Sequence, residues 1–206
     1  MENYPASLEI DYPEESDRIS VLFRFFLVIP IAIVLGLLGG VGYSGPIPPT
    51  SGHDVYITGI VFLPALLTIL FLQKYPRWWF DWNLELTRFS MRVGAYALLL
   101  RDEYPSTDEE QAIHLDLEYP SVEEDLSRWM PLVKWFLAIP HYFVLAFLGI
   151  AVFFGTIFAW FAILFTGRYP RALYDLVVGT LRWGLRVEAY AFLLITDEYP
   201  PFRMRS

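Results

Sequence analysis

Apolar residues gather into long runs along this chain, separated by short stretches that alternate or turn amphipathic. The first run covers about Ile19 to Gly42, the second about Val55 to Leu72, and the longest Pro131 to Thr166. A helix that crosses a bilayer needs about 20 residues, within a range of about 17–25. The longest run exceeds that, so its pattern predicts two helices with a tight turn near Gly149; one tilted, bent helix is the alternative. Four spans are therefore expected, at about 19–42, 55–72, 129–148 and 150–166.

Between the runs the period changes. LEIDYP (8–13) and LDLEYP (115–120) alternate apolar and polar positions, which predicts a short strand in each case. KYPRWWFD (74–81) and RYPRALYD (168–175) each follow an apolar run. A proline at the start of a helix gives up no hydrogen bond the helix needs, so a helix is expected to open at each Tyr-Pro. These helices are placed at about 76–93 and 170–187. Beyond Arg92 and Arg186, VGAYALLL and VEAYAFLL place Tyr96, Leu98 and Leu100 at period two, which predicts a second strand in each half.

The same blocks recur in the same order, and that is a strong sign of an internal repeat. LFRFFLVIP (22–30) answers LVKWFLAIP (132–140), LTRFSMRVGAYALLL (86–100) answers TLRWGLRVEAYAFLL (180–194), and RDEYP answers TDEYP. The expected architecture is a mainly α membrane protein. It has two parallel repeats of strand, span, span, interfacial helix and strand, giving four transmembrane helices and a small cytoplasmic sheet. The first repeat is residues 1–107 and the second 108–206. Tyr-Pro occurs seven times and is expected to anchor boundaries between membrane and water.

Composition agrees with a bilayer setting. Of 206 residues, 55% are apolar and 18% aromatic, and the mean hydropathy is +0.41. A soluble helical protein with unusually apolar cores is the competing reading. The chain has no Cys, which excludes disulfides and thiolate chemistry. Its formal charge of −8 gives no basic footprint for nucleic acid. The acidic start MENYPASLEIDYPEESDR lacks the apolar core of a cleavable signal peptide. The loop YSGPIPPTSGHD carries no Lys or Arg, so all 15 lie in the N-terminal, central and C-terminal segments. The positive-inside rule then places both termini and the central segment in the cytoplasm.

Candidate chemistry centres on a duplicated charged stripe. Arg77, Asp81, Arg88 and Arg92 share offsets 0, 4, 11 and 15 with Arg171, Asp175, Arg182 and Arg186, which puts each set on one helical face. Arg77–Asp81 and Arg171–Asp175 are read as structural i,i+4 ion pairs. Arg88, Arg92, Arg182 and Arg186 have two readings: binding backbone carbonyls, or holding lipid phosphates, whose oxygens match guanidinium forks. Arg24 and Lys134, at matched positions inside the first and third spans, are expected to snorkel to water.

No catalytic or metal-ligating set emerges. His53, His114 and His141 do not repeat, and no HExxH, P-loop, GxGxxG or GxSxG occurs. No cofactor and no metal site is expected. Thr58, Thr68 and Thr156 are almost the only polar residues in the spans, so a proton or ion path through one copy is not expected.

FLAIPHYFVL (136–145) and FAILFTGRYPRALYDLVVGTLRWGLRVEAYAFLLITDEYPPF (161–202) resemble an uncharacterised prokaryotic membrane family, the domain of unknown function 4389. The first half is similar to a diverged copy of the second. The resemblance implies an integral inner-membrane protein and no activity. The expected function is a non-enzymatic, lipid-contacting scaffold or accessory subunit, with membrane lipids and a second copy or a membrane protein as partners. The alternative is a homo-oligomeric channel or small transporter, with Thr58, Thr156 and the glycine-rich turns lining its passage.

Overall fold

The structure is a computed structural model that describes residues 4–38, 62–107, 109, 111–122 and 126–205. The expected loop at 43–54, the start of the second span, His53 and Thr58 lie outside the described residues.

The elements follow the order β1 (Ala6–Ile10), α1 (Arg18–Leu38), α2 (Phe62–Leu67), a π turn (Thr68–Leu72), α3 (Arg77–Ala97), β2 (Ile113–Leu117), a 3-10 turn (Met130–Leu132), α4 (Lys134–Leu137), α5 (Ile139–Thr166) and α6 (Arg171–Ala191). Pro76 and Pro170 sit just before α3 and α6 in extended conformation, so both helices open where Tyr-Pro signalled. At its far end α5 stops at Gly167, whose φ of +75° is the left-handed geometry that glycine adopts without strain.

Two expectations are corrected. No turn breaks the long run at Gly149: α5 is one continuous helix of 28 residues. Apolar residues are good helix formers, and a lone glycine costs a helix only about 1 kcal/mol. Among the described residues two helices are long and apolar enough to cross a membrane, Arg18–Gly36 and Ile139–Thr166; the expected second span begins outside those residues. The second strands are also absent among the described residues. Val93, Tyr96 and Leu100 are buried at spacings of three and four, which is the helical period, and α3 continues to Ala97. The chain then turns through left-handed Leu99, and at the matching place after α6 through left-handed Leu194.

The sheet is a single antiparallel pair, with Leu8 opposite Leu115, Ala6 opposite Leu117 and Ile10 opposite Ile113. Ala6, Leu8, Ile10 and their three partners face inward, while Ser7, Glu9, His114 and Asp116 face out. An isolated two-stranded ribbon is marginal in water. This one is held by packing β1 on α6 and β2 on α3.

The helices beneath have two working faces. Tyr174 and Arg182 leave one side of α6 for β1, while Trp183, Val187 and Tyr190 leave the opposite side and cluster with Ala138, Tyr142 and Leu145 around the start of α5. On α3, Arg88 reaches β2, while Tyr96 lies under the Arg24 guanidinium of α1. The molecule is thus layered: sheet, then α3 and α6, then α1 and α5. Its outer sheet face is polar. Its opposite face exposes Phe25, Phe26 and Ile33 from α1, and Phe143, Phe147, Phe154, Phe158 and Phe165 from α5.

Candidate functional site: the arginine stripe, its cleft and the apolar groove

A two-stranded sheet leaves the outer edge of each strand without a ladder partner. The stripe arginines fill that need. Arg182 Nε donates to Leu8 O at 2.7 Å, and Arg88 Nε donates to Leu115 O at 3.0 Å. These are the two residues that face each other at the middle of the sheet, so one guanidinium closes each edge at the same level. Arg92 donates to Ser106 O at 2.9 Å. Arg186, 4% exposed, donates to Arg205 O at 3.1 Å and to Arg203 O, clamping the C-terminal tail. Burial, followed by the charge of Arg203, pulls its pKa down. All four arginines therefore donate to backbone carbonyls, the first of their two readings.

The proposed i,i+4 ion pairs do not form. Among the described residues neither Asp81 nor Asp175 makes an ion pair. Arg77 lies over the Tyr119 ring at 4.9 Å, and Arg171 over the Tyr12 ring at 3.8 Å. An exposed helical ion pair is worth only a few tenths of a kcal/mol, whereas a cation over an aromatic face gains about 0.5–1 kcal/mol at exposed sites. The arginines take the better contact. The same two tyrosines bridge the halves: Tyr12 donates to Tyr169 O, and Tyr119 to Tyr75 O.

Arg24 and Lys134 do not reach water. Arg24 is 2% exposed; it donates to Arg101 O and Ser20 Oγ and pairs with Asp102. Lys134 is fully buried; it donates to Thr196 O at 2.7 Å, pairs with Asp197 at 2.7 Å and lies over Tyr190. Burial lowers its pKa, and Asp197 offsets part of that shift. Each aspartate also accepts the N–H of the chain ahead of the helix, Asp102 from Asp17 and Asp197 from Ser127. The signal for these partners was present in the sequence, because RDEYP and TDEYP recur just as Arg24 and Lys134 do. Their meeting is a tertiary fact.

Several Tyr-Pro tyrosines are core residues, not surface anchors. Tyr4, Tyr75 and Tyr169 are under 9% exposed. Tyr75 donates to Leu193 O at 2.8 Å, and Tyr4 to Arg186 O at 3.2 Å. Burial pushes the hydroxyls of Tyr4 and Tyr75 well above the usual tyrosine range, and those of Tyr169 and Tyr174 up to about 12.

His141 is fully buried inside α5. Its Nδ1 accepts the Trp183 Nε1–H at 3.0 Å, so the neutral ring carries its proton on Nε2, and the ring stacks on Phe202. His114 stands on the outer sheet face, 3.8 Å from Asp11. Among the described residues no cluster of three or more His, Asp or Glu could hold a metal ion.

Two concavities adjoin these residues. One is a polar cleft of about 480 Å³ beside the sheet, where Arg88 and Arg92 share the walls with Glu9, Glu85, His114 and Asp116. Its carboxylates oppose a simple anion site. The other is an apolar groove of about 510 Å³ between α1 and α5, lined by Val21, Leu22, Phe25, Ala97, Ile157 and Trp160 with Arg24 at its edge. Thr156 also borders it, but its hydroxyl bonds Val152 O within α5.

The fold and these sites define a helical protein with a small two-stranded sheet, one polar face and one face of two helices apolar enough to enter a membrane. Residues 128–203 match the family described as a domain of unknown function (DUF4389). That stretch contains α4, α5 and α6, with the Lys134–Asp197 pair and both Arg182 and Arg186. No curated protein and no solved structure matches the chain.

Proposed function

We propose that this chain is a non-enzymatic scaffold or accessory subunit that works in contact with membrane lipid. The observation that carries the reading is the uninterrupted apolar stripe of α5 on the face opposite the polar sheet, with Phe147 72% and Phe165 79% exposed. Burying one large apolar side chain is worth about 1.5–3 kcal/mol. A stripe of this length left in water forgoes burial worth about as much as the whole stability of an ordinary domain, about 5–15 kcal/mol. Exposed Trp78, Trp82, Trp129 and Trp135 lie on the elements that flank the apolar layer, the place such rings take where hydrocarbon meets water.

In this reading the two halves are copies of one unit related by a pseudo-twofold axis through the Leu8–Leu115 pair. Matched bonds support it: Arg182 to Leu8 O with Arg88 to Leu115 O, Tyr12 to Tyr169 O with Tyr119 to Tyr75 O, and Arg24–Asp102 with Lys134–Asp197. The stripe arginines act first as clamps of the fold. A lipid phosphate would meet only the sides of Arg88 and Arg92 that line the polar cleft. The membrane is the inner membrane of a prokaryote, and a second copy or another membrane protein completes the assembly.

Flotation with phospholipid vesicles tests the reading. Wild-type protein is expected to rise with the vesicles, and a Phe147→Lys/Phe154→Lys variant to be largely lost from the floated fraction. Wild-type protein left at the bottom of the gradient, or a variant that floats equally well, overturns it.

A further inference from the structure

A helix able to cross a membrane need not do so, and the layering decides which α5 does. The molecule changes from polar to apolar along one direction: outer sheet face, then α3 and α6, then α1 and α5. In a membrane protein that direction is the membrane normal. The axis of α5 runs across it, because α5 packs side-on against α6 from His141, beside Trp183, to Gly155, beside Leu173, and against α1 farther along, with Trp160 donating to Val21 O. We propose, resting on the lipid-contact reading above, that α5 lies in the plane of one leaflet, with its phenylalanine stripe in the acyl region and its opposite face on the protein, and does not cross the bilayer.

Three further observations agree. The helix is 28 residues long, about 42 Å at 1.5 Å per residue, against a hydrocarbon core of about 30 Å. Crossing would require a tilt of about 45°, beyond the usual 0–40°. Both ends of α5 are tied to charged groups: Lys134 and Asp197 just before it, and Arg18 beside Gly167 just after it. A crossing α5 would also carry α6 and the strand on it to bilayer depth, with Glu9 and Asp116 facing lipid. A protein partner would ask for a polar rim around an apolar patch. The stripe from Ile139 to Phe165 instead offers no charged or hydrogen-bonding side chain along its exposed line, which fits acyl chains.

The absence of native cysteine makes the test direct. Single substitutions Arg128→Cys and Arg168→Cys mark the two ends of α5, and Phe147→Cys and Phe154→Cys its middle; all four positions are exposed. Membranes are first washed at high pH, then sealed vesicles of each orientation are treated with a membrane-impermeant maleimide. Both ends are expected to label from the same side, while the middle positions resist the reagent from either side. Ends labelled from opposite sides would overturn the proposal and establish a crossing. Middle positions labelled from the far side would also overturn it, in favour of a hairpin. Loss of the protein in the alkaline wash would sink the lipid-contact reading itself. Glu14→Cys and Glu198→Cys, also exposed, replace the end markers if either arginine variant fails to accumulate.

Discussion

Asp197→Asn removes the counter-charge of a lysine that has no route to water. Lys134 is fully buried, and its ammonium has two oxygen neighbours at 2.7 Å, Thr196 O and Asp197 Oδ1. Asparagine keeps an acceptor for the Ser127 N–H but not the negative charge. Breaking a buried pair from one side costs about 3–5 kcal/mol, because the surviving charge is left uncompensated. For a chain of this size that is a fall in Tm of about 6–20 °C. Removing both charges, as in Lys134→Met with Asp197→Asn, is expected to recover most of the loss, since a well-packed apolar replacement of a buried pair is often neutral. Thermal unfolding in lipid nanodiscs of wild type, both single variants and the double variant gives the coupling energy directly.

A pH signature belongs to the same experiment. Burial already lowers the folded pKa of Lys134, and loss of Asp197 lowers it further. The unfolded chain then holds more protons than the folded one over the window up to the ordinary lysine value of about 10.4, so stability rises with pH there. The Asp197→Asn variant should therefore regain stability as the pH rises toward that value. Single changes that each cost less than about 0.5 kcal/mol, or that add without coupling, would refute the argument.

Three other outcomes follow from the packing. A Cβ at Gly179 would lie 2.8 Å from Met204 Cβ, so Gly179→Ala should release the C-terminal tail and speed its proteolysis while α6 stays folded. Leu8→Ala, at a site 3% exposed in the middle of the sheet, should cost about 2–5 kcal/mol in denaturant unfolding. Raising the pH through 10 to 12 should destabilise the fold. The folded hydroxyls of Tyr169 and Tyr174 hold their protons up to about 12 while unfolded tyrosines ionise near 10, so the folded state binds the extra protons, and absorbance of tyrosinate should rise in step with unfolding.

Much of this molecule is written locally. Period-two stretches at Leu8 and Leu115 determined β1 and β2, and Tyr-Pro determined where α3 and α6 begin; of the four spans read from the apolar runs, two helices among the described residues suit a membrane. The recurrence of the blocks put Arg88 with Arg182 and Arg24 with Lys134 before any coordinates. Other features have no local signature. A glycine permits a turn without requiring one, so Gly149 stayed helical inside a run of strong helix formers. Tyr96, Leu98 and Leu100 fit a strand by alternation and a helix by contact, and the packing of Tyr96 under Arg24 settled it. Stripe charges at helical spacing could face water, lipid or protein; only the docking of β1 and β2 turned Arg182 and Arg88 toward open strand edges. The apolar character of α5 was legible from its composition, but neither its continuity through Gly149 nor its direction relative to the polar layer was, because orientation is a property of the whole layered stack and no single segment encodes it.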